Sequence, residues 1–237
     1  MPVLSVPREL REFAQVFSSA GKKCFFVGGA LRDSLLGRPV NDWDAATDAR
    51  PEEVLGLFRK VIPTGIKHGT VTVLWKGWSV ETTTFRTEAG YSDARRPDQV
   101  AFGASLEEDL ERRDFTVNAM AFDPLEGRLV DIHGGQKDLA ARLIRAVGEP
   151  AKRFDEDGLR TLRAVRFASQ LDFEIEPATL AAIPGALARL SGVSAERLRD
   201  ELERILLSPR PSKGLRLMEE TGILGLVLPE LLACRGV

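Results

Sequence analysis

The chain of 237 residues has two cysteines, Cys24 and Cys234, far apart in the sequence. Two thiols so placed make no disulfide framework, and a reducing cytoplasm is the expected compartment. Long apolar runs are also missing. Nothing in the sequence is long and apolar enough to cross a bilayer, and the opening MPVLSVPREL has no apolar signal core. Charge of one sign is not in excess either: 33 Lys and Arg stand against 35 Asp and Glu, a net −2. That balance excludes a uniformly basic nucleic-acid binder, although residues 142–216 alone carry 14 basic against 11 acidic side chains. Histidine is scarce, and His68 and His133 are too scattered for a histidine-based metal site, so both are read as structural. No internal repeat or low-complexity tract is present. What remains is 43% hydrophobic and 29% charged, enough for a real core in one large domain or two small ones.

Apolar residues at helical spacing over residues 7–20 predict an amphipathic helix closed by Gly21. A short apolar run at residues 24–27 ends in Gly28-Gly29 and passes into a second helical pattern, which reads as strand, tight turn and helix. Residues 41–47 can extend, Pro51 opens a helix, and 70–74 and 79–86 alternate as strands around a turn at Gly77. Residues 87–98 are charged and turn-rich and read as a mobile loop. A strand near 100–102, a helix capped by Ser105 with Glu108 three residues on, and strand-like stretches at 115–122 and 128–132 follow. Beyond Pro150 the segments 155–170, 177–190, 195–207 and 212–220 all have helical periodicity. The expected fold class is α+β: a mixed or antiparallel sheet with flanking helices over 1–145, an all-α domain over 146–208, and the start of a further helical domain over 209–237. The apolar ending at 223–232 suggests that the natural chain continues.

Asp42 and Asp44 flank Trp43 in the predicted strand, where side chains alternate, so both carboxylates emerge on one face roughly 7 Å apart. Such a pair can bridge two hard cations that also hold substrate phosphates, the arrangement that clamps an in-line phosphoryl displacement. A lone pair of this kind is more often a surface turn, and its surroundings shift the reading. Gly28-Gly29 opens a helix, where backbone amides and the helix dipole favour an anion such as a triphosphate. Arg32 lies one turn in, and Glu81 supplies a third carboxylate from another strand. Asp157 and Arg160 form a second group, three apart on a predicted helix whose stripe continues through Arg163 and Arg166. A carboxylate accepts and a guanidinium donates. Cytosine and adenine both offer an amino donor beside a ring-nitrogen acceptor, whereas uracil and guanine reverse the order, so one Asp–Arg pair suits C and A. A wrong base leaves two buried groups unpaired at roughly 1 to 3 kcal/mol each. Met120, Phe122, Phe167 and Phe173 are more often core than base-stacking platforms.

Gly28 to Asp33, Asp42-Trp43-Asp44-Ala45, His68 to Val71, Glu81 to Arg86, Arg112 to Ala119, Asp131 to Gly135 and Arg153 to Arg160, taken together and in this order, resemble the class II tRNA nucleotidyltransferase and poly(A) polymerase family. More broadly they resemble the nucleotidyltransferase superfamily of DNA polymerase beta. The resemblance covers nearly the whole chain and implies a catalytic head domain over 1–145 and a nucleotide-selecting neck over 146–208. It implies addition of CMP and AMP to the tRNA 3′ end without a nucleic-acid template, with two Mg2+ ions as cofactors and ATP, CTP and tRNA as partners. Residues matching Asp42 and Asp44 would hold the metals, with Glu81 assisting. Those matching Gly28, Gly29, Arg32 and Arg113 would meet the nucleotide, those matching Asp157 and Arg160 would read the base, and those matching Arg163 and Arg166 would help hold it. Gly158 departs from the family, which commonly has a better helix former there, and is expected to loosen that helix by about 1 kcal/mol. Poly(A) polymerases, CC-only enzymes and a non-catalytic tRNA-binding module are the alternatives. CC-only members shorten the loop after the third carboxylate strand, and the full-length segment 87–98 leans toward addition of A.

Overall fold

The computed structural model describes residues 4, 6–40, 42–89 and 99–234, which fall into two compact units. The first takes in the described residues up to 88 together with 99–139, and the second takes in Ala89 and 140–234.

The first unit is built on a seven-stranded mixed sheet in the order β3-β4-β5-β2-β1-β8-β9. Its strands are β1 (Cys24–Val27), β2 (Trp43–Thr47), β3 (Val61–Gly65), β4 (Thr70–Trp75), β5 (Trp78–Thr84), β8 (Ala121–Asp123) and β9 (Arg128–Val130). Only the β2–β5 pair in this sheet is parallel. Helix α1 (Arg8–Ser19) turns Leu10, Phe13, Ala14 and Phe17 inward, the i, i+3, i+4, i+7 stripe of its sequence. Phe13 stacks on Phe58 with ring centroids 4.9 Å apart and lies 6.4 Å from Phe26, which ties the helix to β1. On the other face Phe25 and Val27 join Phe85, Leu106 and Leu110 in a second buried cluster, so all four residues of β1 are buried. Helix α2 (Gly28–Leu35) follows β1 without a loop, and α3 (Pro51–Leu57) starts on its proline. The β4–β5 turn places Lys76 and Gly77 at φ 45° and 89°, the paired positive values that a two-residue hairpin requires. Helix α4 (Leu106–Glu111) carries the expected capping box: Ser105 Oγ accepts from the Glu108 amide, and the Glu108 carboxylate accepts from the Ser105 amide.

Three expectations change here. Residues 115–122 are not one strand, because a 3-10 turn at Thr116–Asn118 precedes β8. There the Thr116 hydroxyl donates to buried Asp138, and a Cβ on Gly135 would lie 2.3 Å from the Thr116 carbonyl, so tertiary packing overrides the local strand preference. Arg86–Ala89 forms strand β6, paired with β7 (Gln99–Phe102), so residues 87–89 of the expected loop are strand; residues 90–98 lie outside those described. Asp42 lies one residue before β2 rather than inside it.

Apart from Ala89, the second unit begins in α5 (Gly135–Ala141) and runs through β10 (Leu143–Ile144), α6 (Pro150–Glu156), α7 (Leu159–Leu171), β11 (Glu174–Ile175), α8 (Pro177–Ala182), α9 (Leu187–Ser191), α10 (Ala195–Leu206), α11 (Pro211–Glu220), α12 (Ile223–Val227) and α13 (Pro229–Leu232). It is helical apart from the two-residue parallel ladder of β10 with β11. Helix α7 is its centre, buried on most sides, with α10 and α11 as its main neighbours. A Cβ on Gly214 of α11 would come within 2.5 Å of both Ser169 Oγ and Ile205, so glycine lets these helices approach. The helix expected at 155–170 is in fact two. Asp157 ends α6 with extended torsions, φ −147° and ψ 108°, and α7 starts after Gly158.

Candidate active site

Strand register brings the first group of residues together. Across the sheet Val27 pairs with Asp44, Asp44 with Glu81, and Glu81 with Thr72, so the end of β1 and two carboxylates stand in one row. Gly28 follows directly at φ 74°, a region costly for any residue with a Cβ, and a Cβ there would lie 3.1 Å from Asp44 Oδ2. Glycine is therefore required twice over, by torsion and by the closeness of the carboxylate. A Cβ on Gly29 would stand 3.5 Å from the Arg32 guanidinium, which lies over that turn.

Arg32 is buried, with its guanidinium fixed on two sides. Nε and Nη2 donate to the two oxygens of Asp33, and Nη1 donates to Asn118 Oδ1 at 2.7 Å. Asn118 in turn donates to Asp114. Arg113 is held likewise: its Nη2 donates at 3.0 Å to Asp109, a fully buried carboxylate that also accepts twice from Arg112. Burial by itself would raise the Asp109 carboxyl, but Arg113 and Arg112 outweigh it and hold it below the usual range. Arg113 Nε is buried with no hydrogen-bond partner among the described residues, a donor suited to an anion.

The carboxylates themselves repel one another. Asp44 is pushed up to about 6, first by burial, then by the negative charges of Glu81 and Asp42, with Arg113 only partly compensating. Among the described residues, no three of His, Cys, Asp and Glu are drawn close enough to hold a metal unaided. Asp42 is exposed beside its partners. Neighbouring carboxylates only partly offset by Arg113 still fit a hard divalent cation that takes its remaining ligands from water and phosphate.

The second group is arranged differently from the expected helix face. Asp157 Oδ1 accepts from the Leu159 amide at 3.0 Å and so caps α7, while Oδ2 accepts from Arg197 at 2.8 Å. Arg160 lies on α7 and donates to the Arg153 carbonyl and to Glu156. Asp157 follows the end of α6 and Arg160 lies in the first turn of α7, joined by the bond from the Arg160 amide to the Asp157 carbonyl at 3.0 Å, rather than both lying inside one continuous helix. Gly158 sits at that junction, where a Cβ would meet the Arg189 carbonyl carbon at 2.4 Å and the Leu190 nitrogen at 2.5 Å. It is there to admit the α9 backbone and does not loosen a helix interior. Arg166 is buried against Glu201 and lies 4.0 Å over the Phe167 ring, with Arg163 3.8 Å from the same carboxylate. Met120, Phe122, Phe167 and Phe173 are all buried, as read from the sequence.

Four polar residues had gone unread. Asp109 stands four before Arg113, and Arg197 and Glu201 stand four apart on α10, a spacing that signals one helix face. Asn118 is 86 residues from Arg32, and no local pattern links them.

Residues 24–145 match the poly A polymerase head domain, and residues 172–234 match a model described as the probable RNA and SrmB-binding site of polymerase A. A CCA-adding enzyme of Lactobacillus johnsonii is 52% identical over 206 residues, which is 87% of this chain and 52% of that protein. One of Limosilactobacillus fermentum is 47% identical over 224 residues, 93% of this chain and 56% of that protein. The chain thus spans about half the length of the curated relatives it matches. Among solved structures, the Bacillus stearothermophilus CCA-adding enzyme in complex with CTP superimposes with a TM-score of 0.84 at 45% identity, over 94% of this chain and 53% of that one. The Thermotoga maritima CCA-adding enzyme complexed with tRNA gives 0.80 at 28% identity, over 94% and 53%. With the head-domain match covering more than half of the sequence, the chain belongs to the poly A polymerase head-domain family of nucleotidyltransferases.

Proposed function

We propose that this chain is the catalytic and nucleotide-selecting part of a cytoplasmic RNA nucleotidyltransferase that adds CMP and AMP to the tRNA 3′ end without a nucleic-acid template. The observation that carries this reading is the register Val27–Asp44–Glu81, which sets a glycine turn suited to a triphosphate beside paired carboxylates. Asp42 and Asp44 would hold two Mg2+ ions, which when bound supply Lewis-acid stabilisation to the reacting oxygens. Gly28, Gly29, Arg32 and Arg113 bind and orient the triphosphate, so that the RNA 3′ hydroxyl displaces pyrophosphate from the α-phosphorus in line. Asp157 accepts from the amino group of C or A while Arg160 donates to the ring nitrogen, and Arg163 and Arg166 add positive charge. Asp157 keeps acceptor capacity for this, because each carboxylate oxygen has two lone pairs and one partner here. The relatives named as CCA-adding enzymes, one of them solved with CTP and one with tRNA, support the same substrates.

The test is incorporation of labelled CTP and ATP into tRNA ending before CCA, tRNA ending in CC, and a generic RNA. CMP and AMP addition confined to the tRNAs is expected, whereas extension of the generic RNA by AMP alone would indicate a poly(A) polymerase. Asp42→Ala and Asp44→Ala should each lower incorporation by about a hundred- to a thousandfold, the scale of losing a main electrostatic contributor, while tRNA binding survives. Undiminished activity in either variant would sink the mechanism.

A further inference from the structure

The open face of the sheet beyond Glu81 is unusual in being lined by hydroxyls. Along β5 Val80, Thr82 and Thr84 turn inward and are buried, leaving Glu81 and Thr83 on the open side; along β4 Val71 and Val73 are buried, leaving Thr70 and Thr72 open. Thr70 and Thr83 meet hydroxyl to hydroxyl at 3.1 Å, and Thr72 meets Thr64 of β3 at 3.1 Å. Just past β5, Arg86 donates to the carbonyl of His68, in the turn that leads into β4. Thr70, Thr83 and Arg86 line the same cavity of about 230 Å³ as Asp44, Glu81 and Arg113.

The direction of the reaction gives this wall a meaning. In an in-line displacement the attacking oxygen and the leaving pyrophosphate lie on opposite sides of phosphorus. The groups suited to the triphosphate, Gly28, Gly29 and Arg32, follow β1, on one flank of β2. The attacking hydroxyl must then arrive from the other flank, where β5 and β4 lie. We infer that Thr70, Thr83 and Arg86 form the seat of the last nucleotide of the RNA. The threonine hydroxyls hydrogen-bond its sugar and phosphate oxygens, and Arg86 pairs with the phosphodiester that joins it to the nucleotide before. Hydroxyls suit this task because they bind a ribose-phosphate chain of any sequence, and one guanidinium supplies a charge-assisted phosphate contact.

The inference rests on the function proposed above for which flank takes the triphosphate, and its test separates the two. Affinity for a fluorescent tRNA ending in CC and for the same tRNA with a neutral methylphosphonate in place of its last phosphodiester is measured without nucleoside triphosphate, in wild type, Arg86→Ala, Arg86→Lys and Thr83→Val. Wild type should prefer the charged linkage, and Arg86→Ala should cut that preference about tenfold, with Arg86→Lys restoring part of it. Thr83→Val keeps the shape of a β-branched strand residue and guards against misfolding at Arg86; it should cut the preference about threefold. In steady state the rise should fall on the KM for tRNA and leave the KM for CTP within about twofold. An unchanged preference in both Arg86→Ala and Thr83→Val, or a rise in KM confined to CTP, overturns the seat. Wild-type protein that incorporates nothing overturns the function instead, while the affinity arm still decides the seat.

Discussion

Asp44 concentrates the electrostatic tension of the first unit. Its carboxyl is raised to about 6 by burial and by two neighbouring acids, so its proton is bound more tightly in the folded than in the unfolded chain. The stability this lends is fully present below the ordinary value of 3.8 and is lost as pH rises through about 6. Asp44→Asn, which cannot ionise, should therefore be more stable than wild type at pH 8 in metal-free buffer. The gain is at most about 3 kcal/mol before solvent screening, or several degrees in Tm. The difference should vanish near pH 4 and shrink at pH 8 when Mg2+ is added to the wild type. Thermal scans at the two pH values, with and without metal, check it, and a variant less stable at pH 8 would contradict it. Asp109 is the opposite case: two arginines hold it ionised despite full burial, and its stabilising contribution is lost only as pH falls below the usual carboxylate range.

Among the elements, the break between α6 and α7 separates packing from propensity. Helix propensity predicts that replacing Gly158 with alanine gains about 1 kcal/mol, and its φ of −57° allows the change. The structure predicts the reverse, because the new methyl would overlap the backbone of Arg189 and Leu190 at 2.4 to 2.6 Å. Gly158→Ala should cost about 1 to 3 kcal/mol and, because it moves Asp157, should weaken the preference for C and A over U and G. Chemical denaturation and a four-nucleotide incorporation assay measure the two effects. A stabilised variant with intact selectivity would restore the propensity argument. Helix α10 serves the same break from the other side, since Arg197 holds Asp157 and Glu201, four residues on, holds Arg166.

At the scale of the molecule, a net charge of −2 hides an uneven distribution. Acids gather around Asp44, from Glu81 across the sheet and from Asp42 just before β2, where cations would neutralise them, while residues 142–216 carry three more basic than acidic side chains. Affinity for tRNA should accordingly fall steeply with salt, in spite of the acidic mean, by roughly tenfold or more between 50 and 200 mM. Fluorescence anisotropy across a salt series measures the slope, and a flat response would mean that phosphate contacts contribute little.

The amino-acid sequence by itself determined the features written in local periodicity: the stripe of α1, the glycine turn after β1, the capping box of α4 and the passage from a mixed sheet to helices. Residue type and spacing also offered Asp42, Asp44 and Glu81 as candidate cation ligands and Asp157 with Arg160 as a candidate donor–acceptor pair, while Arg113 was named only through the family resemblance. Only tertiary structure decided which groups meet. The row Val27–Asp44–Glu81 is a matter of strand register between segments dozens of residues apart, and the bond from Arg32 to Asn118 spans 86 residues. The same is true of Gly158, read as a flaw within a helix and found to be the point where another backbone passes. Periodicity reports on neighbours along the chain, and these contacts are fixed by side-chain volume and hydrogen bonding between segments the chain keeps far apart.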